Sequence, residues 1–346
     1  MDSKKKIVWS IISLLIAVLS IWAVLAQSKT MSVTGLIESL GMADPVWIIP
    51  AFICMFGFIY FEGAALLCIV KATGYKRSQL QGAVYSAADI YFSAITPSAS
   101  GGQPASAFFM MRDKIPAGVA TASLIANLIM YTLSVLVAGV FGAVFCGGVY
   151  WDFDLFPSRV LIIIGFAAFG GLLAVFIILL KKGRSFFKIV SRIMAFLHRH
   201  HLLHKIEEKQ KKLDKLTKDY ESCVVMMAGK TKALVMAFLF NLAQRISQIL
   251  VPVMIYNAYY GPGSDSLKVF GIQSLVTVGS GCIPIPGAMG VSDYLLLDGF
   301  GDLLSSEHAI HLEMMSRGIS FYTCIIICGV FILVDYLVHR NYNRRK

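Results

Sequence analysis

Charge is scarce in this chain, and acid is the scarcer part of it. Only 15% of the 346 residues are charged, with 20 Asp and Glu against 31 Lys and Arg, while 57% are hydrophobic. A soluble globule of this size needs a more charged surface, so the balance excludes that class and points to a polytopic membrane protein. The seven cysteines are an odd number, scattered mostly in apolar runs, with no CxxC spacing. That excludes a disulfide framework and a cysteine zinc site. Cys324 and Cys328 share a helix face, where small apolar packing is their expected role. Nucleophile elbow, P-loop and dinucleotide fingerprint are all missing, so no cofactor is expected. The net charge of +11 could suggest nucleic acid. Lys and Arg instead concentrate in a few loops, as the positive-inside rule requires, so no nucleic-acid partner is expected.

What is present is a series of long apolar runs. About 20 apolar residues are needed to cross hydrocarbon. Candidate spans are Ile7–Ala26, Val46–Val70, Ala117–Phe145, Val160–Leu180, Ala233–Ala258 and Met314–Val338. The start, Lys4-Lys5-Lys6 before the run to Ala26, resembles a signal peptide, but the run is long for one and reads as a retained first helix. The expected fold is an all-α integral membrane protein with about six full transmembrane helices and two oppositely oriented re-entrant hairpins in an inverted repeat. Residues 1–183 form the first membrane half, with a hairpin at about 81–111 (arms Gln81–Ile95 and Ala105–Met111). Residues 232–346 form the second, with a hairpin at about 269–300 (arms Val269–Cys282 and Ala288–Phe300). Between them, residues 184–231 read as a basic amphipathic linker helix. There Ile206, Leu213 and Tyr220 recur every seven residues, with Leu202 and Leu216 filling in. Its expected place is the inner membrane surface, where anionic lipid attracts Lys and Arg. The loop charges put both termini in the cytoplasm.

Two broken stretches organise the rest: Thr96-Pro97-Ser98-Ala99-Ser100-Gly101-Gly102-Gln103-Pro104 and Cys282-Ile283-Pro284-Ile285-Pro286-Gly287-Ala288-Met289-Gly290. Broken backbone at membrane depth is tolerated only beside protein or a wet cavity, and matched breaks in two halves point to a transporter's binding site. Each returning arm aims a helix N-terminus at the membrane middle. Its free N–H groups and dipole favour an anion such as a lipid phosphate. Thr96, Ser98, Ser100, Gly101, Gly102, Gln103, Gly287 and Gly290 are the tip residues placed for this, and packing kinks are the plainer alternative.

Arg245 and Arg317 lie in or beside apolar spans and need a partner or a wet cavity. Asn241, Gln244, Arg245 and Gln248 make one polar helix face, which should look into a cavity. Phosphate binding is one reading of the two arginines. Internal pairing with Asp293, Asp89 or Glu62 is the other, and the two are compatible if binding exchanges partners. Glu62, Asp89, Asp293 and Asp298 are the intramembrane acids, suited to coupling by protons, to a cationic headgroup, or simply to helix pairing. Asn127 and Tyr131, one turn apart, could line the same cavity or bond between helices. The cluster His198, His200, His201 and His204 reads as a solvated basic face, and the Asp152-x-Asp154 loop is too short for a sugar-donor site, so no metal is expected.

The stretch from Pro97 to Pro104 and the stretch from Pro284 to Asp293 resemble the lysylphosphatidylglycerol synthase transmembrane family, which includes the flippase half of the bacterial multiple peptide resistance factor. The family's second motif reads Pro, any residue, Pro-Gly-Gly, any residue, Gly, two of any kind, Glu. Here Ala288 stands for the second Gly and Asp293 for the Glu. The resemblance implies a phospholipid flippase in a bacterial plasma membrane, moving plain or aminoacylated phosphatidylglycerol between leaflets. The full-length factor transfers lysine with a soluble C-terminal domain. This chain ends at Lys346 after its last span, so lysyltransferase activity is not expected of it. An accessory role beside a separate synthetase, and homo-oligomers, are the alternatives carried forward.

Overall fold

The computed structural model describes residues 43–96, 99–199, 206–263, 265–281, 283 and 290–344. The expected first span, the tip residues Ser98 and Gly287, and His200, His201 and His204 lie outside these. The described residues form helices and no strands. In chain order they are α1 (Pro45–Ala72), α2 (Gln79–Ile95), α3 (Gly102–Arg112), α4 (Ala117–Phe145), α5 (Phe156–Lys181), α6 (Gly183–Arg199), α7 (Ile206–Ala228), α8 (Thr231–Tyr260), α9 (Asp265–Gly281), α10 (Val291–Gly299), α11 (Ser306–Arg317), a π-helical turn (Gly318–Thr323) and α12 (Cys324–Arg344). Among them, α1, α4, α5, α8 and the continuous run Ser306–Val338 are long and apolar enough to cross a bilayer. The chain is an all-α, multi-pass membrane protein.

Local chemistry sets the helix ends. Asp44 caps α1 by accepting from the Val46 N–H at 3.0 Å, and Pro45 follows where its missing N–H costs nothing. Ser78 and Gln81 close a capping box on α2, with the Ser78 N–H donating to Gln81 Oε1 at 3.0 Å. The short arms α3 and α10 have 11 and 9 residues. At 1.5 Å per residue, neither reaches across about 30 Å of hydrocarbon. α2 and α3 pack on each other, as do α9 and α10. At the base of the first pair, Asp113 collects bonds from Tyr85 Oη at 2.7 Å and Gln81 Nε2 at 2.9 Å, while Arg112 pairs with Asp335 of α12.

The centre of the bundle is the long contact between α1 and α8, the most extensive of any helix pair. Met55 of α1, Ile255 of α8, Ile272 and Leu275 of α9 and Leu295 of α10 share one core there. Both Cys324 and Cys328 are buried in this core.

Two expectations change. The linker is two helices, α6 and α7, and the apolar stripe of α7 is covered by protein. Leu213, Leu216 and Tyr220 pack against α4 and the core beneath it. The Tyr220 hydroxyl donates to the Leu179 carbonyl at 2.9 Å. Heptad spacing marks a buried stripe but does not say whether lipid or protein buries it. It is α6 that keeps Phe186, Ile189 and Ile193 exposed, with Arg184, Lys188 and Arg192 interleaved. The last span also begins earlier than Met314. Ser305 caps α11, and the polar residues of its first turns mask the helix from a hydropathy reading.

The α4–α7 seam depends on Gly118, where a Cβ would lie 2.3 Å from the Leu216 carbonyl oxygen. Behind it, burial pushes the Cys223 thiol up to about 11, so the thiol is inert at neutral pH. In a background whose other cysteines are replaced, Gly118→Ala is expected to lift α7 and raise maleimide labelling of Cys223 at least severalfold. Unchanged labelling would mean that the seam tolerates the methyl.

Candidate functional site

A cavity of about 610 Å3 opens among α1, α2, α4, α8, α9 and α11, within the range of ligand pockets. The α8 polar face supplies one wall. Asn241, Gln244, Arg245 and Gln248 all line it, because positions three and four apart fall on one side of a helix. Pro252, further along α8, also lines the cavity. It has no N–H, so the Gln248 carbonyl four residues back loses its helical donor. Asn241 Nδ2 donates to Asn127 Oδ1 of α4 at 3.0 Å, and Tyr131 presents its ring to the Arg245 guanidinium at 4.7 Å.

The two arginines are held differently. Arg317 Nη2 donates to Asp293 and, at 2.6 Å, to Ser292 Oγ, while its Nε donates to Glu313 one turn back. It is an internal ion pair with two carboxylates. Arg245 is only 4% exposed and donates to Gln248, yet its Nε has no hydrogen-bond partner. Among the described residues no carboxylate oxygen lies within salt-bridge distance of it. A buried guanidinium without a counter-ion is costly, and this one faces the cavity.

Glu62 of α1 and Asp89 of α2 meet side by side on the same wall. Glu62 Oε2 accepts from Gln244 Nε2 at 3.1 Å. Asp89 accepts from Ser93 Oγ at 3.2 Å and from Gln103 Nε2 in the first turn of α3. Gly102 makes that approach possible, since a Cβ there would stand 2.0 Å from both Asp89 Oδ1 and Ser93 Oγ.

The hairpin tips differ from the expectation of two open anion sites. At the first, Thr96 Oγ1 accepts from the Gly101 N–H at 2.8 Å and donates to the Phe92 carbonyl at 2.6 Å, so this hydroxyl closes the turn. Ser100 sits exposed beside it, and Gly101, the N-cap of α3, makes no side-chain cap bond. At the second, Gly290 has φ 84°, a left-handed backbone suited to glycine, and donates its N–H to Asp293 Oδ2 at 2.9 Å. The chain's own carboxylate thus occupies that helix N-terminus, where an acid is stabilised by the dipole. Asp298 accepts from the Leu155 N–H at 3.3 Å and ties α10 to the loop before α5, away from the cavity wall.

Glu313, Gln273, Thr277 and Ser280 line the cavity although sequence reasoning missed them. Glu313 stands one turn before Arg317, a signal the sequence did carry. Gln273 lies in a run with no other charged or amide neighbour on its face and gives no such signal. Besides Arg245 Nε, the buried atoms Gln103 Oε1, Asn241 Oδ1, Gln244 Oε1 and Gln273 Oε1 lack partners and belong to residues lining this cavity, while the other orphans, on Arg77, Ser106, Arg112, Ser123 and Ser158, lie elsewhere. Buried polar atoms are normally satisfied, so a concentration of orphans marks a place built for water or a polar ligand. Among the described residues no group of three or more His, Cys, Asp or Glu is arranged to hold a metal ion.

The described residues thus form membrane-spanning helices around a polar, partly unsatisfied cavity in which Arg245 has no carboxylate within salt-bridge distance. Residues 10–328 match the family model described as the lysylphosphatidylglycerol synthase TM region, and the chain belongs to that family. Comparison with curated proteins and with solved structures gives no match.

Proposed function

We propose that the protein is a phospholipid flippase of a bacterial plasma membrane, moving plain or aminoacylated phosphatidylglycerol between leaflets. The observation that carries this is Arg245: buried, facing the cavity, with an unsatisfied Nε and no carboxylate partner among the described residues. A phosphodiester supplies the missing charge and acceptors, and guanidinium–phosphate pairs are among the stronger hydrogen-bonded ion pairs. Tyr131 and Gln248 hold the guanidinium in place. The first turn of α3 after Gly101, which has no side-chain cap, offers further N–H donors. Asn127, Asn241 and Gln244 offer amides to a glycerol or aminoacyl headgroup. Arg317, already bound to Asp293 and Glu313, orders the wall and is freed for phosphate only if those partners are exchanged. Loop charge puts both termini in the cytoplasm.

The family description favours a second reading, in which the chain is the membrane component of lysylphosphatidylglycerol synthesis or an accessory partner of a separate synthetase. A leaflet-exchange assay separates the two. Purified protein goes into liposomes carrying labelled phosphatidylglycerol or its lysyl derivative. Exchange well above that of empty liposomes is the expected result. No exchange of either lipid by folded protein would sink the flippase reading, and co-purification with a synthetase would then decide for the partner role.

A further inference from the structure

The cavity holds more acid than its arginines can balance. Arg317 is already shared by Glu313 and Asp293, and Glu62 and Asp89 stand side by side on the cavity wall, on the packed helices α1 and α2. Ionised carboxylates only accept, so two of them side by side favour a proton between them. Their other donors are neutral: Gln244 Nε2 to Glu62, and Ser93 Oγ and Gln103 Nε2 to Asp89. Among the described residues, the charged or titratable groups that face the pair are Arg245 from α8 and Cys324 and Cys328 from α12. α3 presents only Gln103, and α4 presents Tyr131, which stacks on Arg245 and not on the acids. Both acids are half-buried and line the cavity, so water can deliver a proton to them.

We propose that Glu62 and Asp89 form a proton site linked to the anion site at Arg245, so that an anionic headgroup and a proton are carried together. In the empty cavity Arg245 favours a negative charge on the pair. An arriving phosphodiester takes up that guanidinium and places a second negative charge beside the carboxyls. The pair then accepts a further proton from water on the same side, both carboxyls become neutral, and no bond other than O–H forms or breaks. Linkage is reciprocal, so protonation also tightens anion binding. The complex that crosses the membrane gains no net charge, which avoids the cost of moving an uncompensated charge through hydrocarbon. The inference rests on the flippase reading and names its coupling ion.

The test is kept separate from transport. Short-chain phosphatidylglycerol is titrated into the full-length protein in neutral detergent, by calorimetry in two buffers of different ionisation heat. Roughly half to one proton should be taken up per lipid bound, and affinity should weaken as pH rises, by up to about tenfold for each pH unit over which a full proton is taken up. Glu62→Gln keeps an acceptor for Gln244 and should abolish the uptake and flatten the pH dependence. Asp89→Asn is the second variant, and thermal unfolding confirms that each is folded. Lipid binding without proton uptake, or uptake unchanged in both variants, overturns the proposal and leaves the flippase reading standing. Uptake with inorganic phosphate but none with the lipid makes the cargo a soluble anion and overturns carriage of a headgroup. Failure of the lipid to bind or exchange removes the flippase reading and this inference with it.

Discussion

Arg245→Ala is expected to bring phosphatidylglycerol exchange down to the rate of empty vesicles while the protein remains folded. Removing one partner of a desolvated, hydrogen-bonded charge pair costs about 2–5 kcal/mol, which is roughly thirtyfold to a few thousandfold in affinity. Such a loss sets exchange near background. Stability should hold or rise, because the wild-type cavity buries this cation without a carboxylate partner among the described residues and the variant no longer does. Arg245→Lys should recover only part of the activity. An ammonium keeps the charge but lacks the planar fork that stacks on Tyr131 and grips two phosphate oxygens. The contrast with Arg317 gives the experiment its force. Arg317→Gln strips Glu313 and Asp293 of their shared cation, and it should lower the unfolding temperature first. Water reaches the Asp293 side chain, which is 41% exposed, so the cost should be about 1–3 kcal/mol and not the full penalty of a dry ion pair. If Arg245→Ala exchanges lipid at the wild-type rate, the phosphate does not sit at Arg245.

Gly63→Ala is expected to give a large stability loss at the α1–α2 crossing beside the cavity. A Cβ on Gly63 of α1 would lie 2.6 Å from the carbonyl oxygen and 2.8 Å from the carbonyl carbon of Gly82 on α2. Both obstacles are backbone, so a helix must move. Overpacking of this kind costs about 1–3 kcal/mol, occasionally more. One turn along the same crossing, Ser86 Oγ donates to the Ile59 carbonyl at 2.8 Å and pins the helices together. The reciprocal change should be milder. A Cβ on Gly82 meets Leu67 Cδ1 at 2.4 Å and Cγ at 2.6 Å, with the Gly63 carbonyl oxygen further off at 3.1 Å, so the main obstacle is a side chain and not backbone. Because Glu62 adjoins Gly63 and faces Asp89 across this crossing, the displaced α2 should also open the carboxyl pair. Thermal unfolding in detergent measures the first effect. Equal midpoints for wild type and Gly63→Ala would show that α1 and α2 shift at little cost.

Much of this architecture is legible in the sequence because hydrocarbon imposes simple rules. The spans near α1, α4, α5 and α8 follow from apolar length, and the arm ends at Ile95 and Met111 lie within a residue of α2 and α3. The α8 face is legible from the spacing of Asn241, Gln244, Arg245 and Gln248, since polar residues in a span at intervals of three and four have few other uses. Partner choice is not legible. Nothing in the sequence says that Asp293 would cap its own helix and also take Arg317, or that Arg245 would find no carboxylate within salt-bridge distance among the described residues. Those outcomes depend on how α8, α10 and α11 meet in space. The buried face of α7 is unreadable for a related reason: Leu213, Leu216 and Tyr220 would look the same against lipid as against α4.

The π turn at Gly318–Thr323 sits directly after Arg317, where Ser320 and Phe321 line the cavity. A wide turn holds one residue more than an α turn, which shifts the angular phase of everything beyond it by roughly 100°. The Ser316, Ser320 and Thr323 hydroxyls each bond a nearby carbonyl at 2.7 Å, covering the acceptors that such a defect strains. A surplus residue of this kind can migrate along a helix, each step trading one backbone hydrogen bond for another. Its passage would rotate the arginine-bearing segment against α12 like one turn of a screw, with neither end of the 33-residue span having to slide through the bilayer.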